Sequence, residues 1–83
     1  MNSCTIMIHK LQQALNTKGQ KILYQTSQFW SNDQNRPVTM YHIKQAYYDE
    51  SVGKTKSTEI FKSASQIQVV QFLADMWAEF NES

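Results

Sequence analysis

Val69, Val70, Leu73, Met76, Trp77 and Phe80 recur at positions i, i+1, i+4, i+7, i+8 and i+11 of one segment, the spacing of a single apolar stripe along an α-helix. Gln68, Gln71, Asp75 and Glu79 fall on the opposite side. An amphipathic helix gains most of its stability from burying its dry face, so the rest of the chain has to present an apolar surface for it to cover.

A second rod lies at the other end. Over residues 3–17, Cys4, Met7, Ile8, Leu11, Ala14 and Leu15 share one helical face. Asn2 or Ser3 can accept a first-turn N–H, and Gly19, just after Lys18, supplies the left-handed residue that ends a helix. Between the rods the apolar period shortens to that of a strand. Over residues 20–31, Ile22, Tyr24, Thr26 and Trp30 occupy alternate positions, and the residue types suit a pleated surface. Residues 32–36 form a polar connection closed by Pro37, which biases Arg36 toward extended geometry. Residues 38–48 then place Tyr41, Ile43 and Tyr47 on one side and Met40, His42, Lys44 and Ala46 on the other, the pattern of a strand. A helix starting near Pro37 would instead align Met40, Ile43 and Tyr47, and is the competing reading.

Residues 49–57 are polar and contain Gly53, the pattern of a hairpin tip that returns into a short strand over 58–62, with Ile60 and Phe61 on opposite faces. Ser63 and Gln66 have capping-box spacing at the start of the last helix, which runs to about Asn81. The expected fold is therefore α+β in the order α-β-β-β-α: a three-stranded antiparallel sheet with two helices packed on one face, in a single domain of 83 residues.

Composition limits what such a domain does. A formal net charge of +1 argues against both a strongly basic nucleic-acid clamp and an acidic imitation of DNA. The charges are nonetheless unevenly placed, with Lys10, Lys18, Lys21, Arg36 and Lys44 facing only Asp33 in the first half. In the second half Asp49, Glu50, Glu59, Asp75, Glu79 and Glu82 outnumber Lys54, Lys56 and Lys62. Only 18% of residues are charged, so the surface is wetted largely by Gln, Asn, Ser and Thr and repels copies of itself weakly. The single cysteine, Cys4, excludes an intramolecular disulfide, and the expected compartment is a reducing cytoplasm. No signal-peptide pattern and no run of ~20 apolar residues is present, so neither export by a leader nor membrane insertion is expected.

No residue set points to an enzyme. Cys4 and His9 lie five apart near the chain terminus with no orienting acid beside them. His9, His42, Asp33, Asp49 and Glu50 show no spacing that puts two ligands on one element, so neither a metal nor another cofactor is expected. Asp49 and Glu50 are neighbours, which in a strand point apart and in a loop face water. Val52 to Ser57, VGKTKS, resembles the end of a phosphate-binding loop but lacks the earlier glycine, and a strand rather than a helix follows.

What remains is contact. The sheet region holds Tyr24, Phe29, Trp30, Tyr41, Tyr47 and Tyr48, more rings than one covered face needs. An open sheet face with Trp30, Tyr41 and Tyr47 as anchors would hold a protein partner or a second copy. The alternative is a nucleic-acid regulator using Lys21, Arg36, Lys44, Lys54 and Lys56. No small-molecule substrate is indicated.

From LNTKGQKILYQTSQFWSNDQNRPVTMYHIKQAYYD through EIFKSASQIQVVQFLADMWAEFN the chain resembles a group of short proteins without assigned activity from Gram-positive bacteria and their mobile elements. The resemblance is carried most specifically by Arg36-Pro37-Val38-Thr39 and by Phe61-Lys62-Ser63 with Gln66-Ile67-Gln68. It implies a bacterial cytoplasmic accessory protein and transfers no functional residue. The element order is also similar to that of double-stranded-RNA-binding domains, whose second helix opens with a lysine-rich turn. Here Ser63-Ala64-Ser65-Gln66 opens that helix with no cation beyond Lys62.

Overall fold

The structure, a computed structural model, describes residues 2–82. Helix α1 spans Ser3–Thr17, strands β1, β2 and β3 span Ile22–Ser31, Arg36–Asp49 and Lys54–Ser63, and helix α2 spans Gln66–Glu82. The strands form one antiparallel sheet in the order β1-β2-β3, and the helices lie together on one side of it. The expected α-β-β-β-α architecture is present. Residues 38–48 are extended, and the competing helical reading of that segment is excluded.

The helix ends follow from local chemistry. Asn2 is the N-cap of α1, its side chain accepting the Thr5 N–H at 2.8 Å. At the other end Gly19 has φ +87, and the N–H groups of Gly19 and Gln20 return to the carbonyls of Asn16 and Leu15 at 3.0 and 3.2 Å. This is the Schellman arrangement. The start of α2 differs from the expected capping box. Ser65 precedes the helix and its carbonyl accepts the Val69 N–H, while the Ser63 hydroxyl accepts the Ser65 N–H and donates to the Gln68 side chain. The Gln66 side chain reaches Thr5 and Asn2, tying the two helix starts together.

Ile8 and Leu15 of α1, Ile22 of β1, Ile43 of β2, and Val69 and Leu73 of α2 are the fully buried core. Tyr24 and Tyr41 extend it as parallel rings 6.3 Å apart, and Phe61 stacks on Phe72 at 4.5 Å. Ile60 and Phe61 depart from the expected alternation. The register slips between Ile43 and Lys44, so that Ile43 opposes Phe61 and Lys44 opposes Glu59. Ile60 is the extra residue of a bulge, and both Ile60 and Phe61 pack against the core.

β3 is also longer than expected, beginning at Lys54 instead of position 58. Its amino-terminal half lies beyond the helices, wet on both sides, and therefore carries no apolar period to read. The connection is four residues, 50–53, closed by the Gly53 N–H on the Asp49 carbonyl at 2.9 Å.

Leu73→Ala is expected to lower the unfolding free energy by about 2–5 kcal/mol, because the side chain is fully buried between sheet and helix. Gly19→Ala is expected to cost about 1 kcal/mol through the positive φ alone, since nothing lies within 4 Å of the added methyl. Urea unfolding followed by circular dichroism measures both.

Candidate binding face

Strand alternation divides the sheet cleanly, because Ile22 and Ile43 point into the core. Residues at even spacing from these share the helix side: Tyr24, Thr26, Gln28 and Trp30 on β1, and Tyr41 and Tyr47 on β2. The opposite side carries Leu23, Ser27 and Phe29 of β1, Val38, Met40, His42, Lys44 and Tyr48 of β2, and Glu59 and Lys62 of β3. Among the described residues no helix covers this side. Leu23, Phe29 and Tyr48 are 40%, 49% and 59% exposed on it, and Val38 and Met40 lie between Phe29 and the centre of the face.

The three anchors expected from the sequence, Trp30, Tyr41 and Tyr47, are therefore on the other side. Tyr41 is half-buried against the core. Trp30 and Tyr47, 60% and 45% exposed, sit on the two wings of the sheet that project past the helices. Trp30 pairs with Pro37, so the two rings are ten residues apart along β2, ~33 Å at ~3.3 Å per residue, and do not form one surface. The alternation was readable from the letters, but which side the helices would cover was not.

A hydrogen-bonded relay crosses the centre of the open face. The Ser27 hydroxyl meets His42 Nε2 at 2.8 Å and His42 Nδ1 meets Glu59 Oε1 at 2.5 Å, linking all three strands. The contact with His42 holds the Glu59 carboxyl below its ordinary pKa, desolvation opposes it in part, and the charges of His42, Lys62 and Lys44 add to the lowering. None of this is visible in one dimension, since Ser27, His42 and Glu59 meet only once the register and the bulge are known.

The order hydroxyl, imidazole, carboxylate is that of a nucleophile, its base and an orienting acid. Two features set it apart from an acyl-transfer site. Ser27 lies mid-strand on a flat surface, and its N–H is engaged in the ladder with Met40 instead of being aimed at a developing oxyanion. What the relay does in this geometry is fasten the three strands together.

The five cations expected to form a nucleic-acid surface are dispersed. Lys44 is on the open face next to Glu59, whereas Lys56 is paired with Asp49 at 3.0 Å on the helix side. Lys54 opposes Asp49 at the start of β3, so Lys54 and Lys56, expected within a hairpin tip over residues 49–57, belong to the strand. Arg36 is at the far wing, its Nε bonded to the Gln34 side chain at 2.7 Å, and Lys21 precedes β1 with φ +55. Asp49 is held below the usual carboxylate range, first by the Ser51 hydroxyl, then by Lys56 and the Ser51 N–H.

Cys4 and His9 face different neighbours. Cys4 lines a seam with Met7, Ile67 and Val70, while the His9 ring packs edge-on against Tyr24 at 5.9 Å. Among the described residues no three His, Cys, Asp or Glu side chains gather. Among the described residues no helix is long and apolar enough to cross a membrane. Comparisons with protein-family models, curated proteins and solved structures return no match.

Because both carboxyls are held low in the fold, their contribution to stability is complete above the ordinary carboxylate pKa and is lost as pH falls through the folded value. Glu59→Gln and Asp49→Asn are expected to unfold at lower urea than the parent at about pH 7, and the deficit should be smaller at about pH 3. Parallel urea titrations at the two pH values check this.

Proposed function

We propose that this chain is a non-enzymatic binding module that acts by protein–protein contact through the open face of its sheet. The observation that carries the reading is the apolar patch that Phe29 forms with Val38 opposite it and Met40 beside them on the open face, next to a relay that keeps the strands in register, with Leu23 and Tyr48 exposed further along the same face. Large rings and aliphatic chains on a rigid face are what partner surfaces use as anchors, with polar groups such as Lys44, Glu59 and Lys62 around them. A role as a bacterial cytoplasmic accessory protein is consistent with the sequence resemblance.

The nucleic-acid alternative has less support. Its affinity would rest on clustered cations, and here Lys44 and Lys62 flank Glu59 while Lys56 is paired with Asp49.

A photo-crosslinking residue placed at Phe29, with a control at Glu79 on the wet side of α2, tests the proposal in cells of the native host. A discrete protein adduct at position 29 and none at 79 is the expected result. Equal or absent labelling at the two sites, or a mobility shift with DNA or RNA at ~50 mM salt, would overturn it.

A further inference from the structure

The two edges of the sheet are not alike. β3 carries Lys54, Lys56, Glu59 and Lys62 and is broken by the bulge at Ile60, which are the devices that keep an edge strand from pairing with another chain. β1, ILYQTSQFWS, has none of them: no charge, no proline and no glycine in ten residues, and an unbroken register with β2 along its whole length.

Its outward hydrogen-bonding groups follow from the ladder. The Ala46 N–H bonds the Lys21 carbonyl, so Leu23, Gln25, Ser27 and Phe29 face β2 and the backbone of Ile22, Tyr24, Thr26, Gln28 and Trp30 faces outward. The chain satisfies this row at one end only. Asn16 takes both the N–H and the carbonyl of Ile22, and Gln12 adds a second bond to that carbonyl. From Tyr24 to Trp30 no such cover exists among the described residues.

We propose that β1 pairs antiparallel with β1 of a second copy, about a twofold axis at Ser27. This goes beyond the reading of the open face and does not depend on it. The register is the one that uses every outward residue left uncovered: Thr26 opposes Gln28 and Tyr24 opposes Trp30 of the other copy, while Ile22 stays capped by Asn16 and Gln12. Trp30, which projects past the helices, thereby gains a cross-strand aromatic neighbour on the helix side. Two three-stranded sheets become one of six, and its outer edges are both β3, the charged and bulged strand, so the assembly closes at two. The two open faces become one continuous surface.

Light scattering on the purified full chain is expected to give twice the 9.7 kDa monomer mass. Thr26→Pro removes an outward N–H without touching the ladder to β2, and should give a folded monomer by circular dichroism; Thr26→Lys with Gln28→Lys should do the same by repulsion. In a Cys4→Ser background, Ser27→Cys should form a disulfide-linked dimer, because a non-hydrogen-bonded pair holds its Cα atoms ~4.5 Å apart. Ser57→Cys on β3 should not. A monomeric parent, a dimer that survives both edge variants, or a dimer abolished by Phe29→Ser and not by Thr26→Pro would overturn the proposal. Absence of the Ser27→Cys disulfide in a dimer would overturn the register. The open-face proposal stands or falls separately, on an adduct at position 29 whose mass shows a protein other than a second copy, because in this register Phe29 lies opposite Gln25 of the other copy.

Discussion

The core of this protein is smaller than its sheet, and most of its surface character follows from that mismatch. Ile8, Leu15, Val69 and Leu73 close on Ile22 and Ile43, one patch of a sheet whose central strand has 14 residues. At ~3.3 Å per residue β2 spans ~46 Å, whereas α2, with 17 residues at ~1.5 Å each, spans ~26 Å. The helices therefore cover part of one face, and hairpin wings extend past them on both ends. Chains of this size have little apolar surface in reserve, so the six buried side chains carry a disproportionate share of stability.

The uncovered regions are held by polar contacts in place of burial. On the open face Ser27, His42 and Glu59 tie the strands across the centre. On the wing, Asp49 organises the turn through Ser51 and anchors Lys56. Such exposed contacts are individually weak, and their value here is geometric: they keep long strands in register where no helix presses on them. The result is a rigid, wettable face bearing apolar groups, and an edge strand lacking the features that normally prevent further pairing.

Much of the architecture was legible because it rests on periodicity. Helix α1 has the predicted limits of residues 3–17, marked by Asn2 and Gly19, and α2 was announced by its stripe. Three things were not legible, each for a physical reason. The first half of β3 is wet on both faces and so carries no alternation. The bulge at Ile60 turns two consecutive apolar residues to one side, against the rule that neighbours in a strand point apart. The choice of covered face is made by packing: Tyr41 and Ile43 lost their exposure to the helices, and Trp30 and Tyr47, which share their side, were left on separate wings. The Ser27, His42 and Glu59 contact depends on the register and on the bulge at Ile60, and could not have been anticipated from spacing.

The central claim is that β2 is an extended strand bonded on both sides while β1 is bonded on one. Amide hydrogen exchange by NMR on the Thr26→Lys, Gln28→Lys chain, in which β1 keeps a free edge, tests it most directly. Consecutive amides of residues 41–45, which have partners on β1 and β3, should all exchange slowly, while on β1 slow and fast amides alternate. Uniformly fast exchange over 41–45, or helical contacts between residues three apart there, would contradict the account.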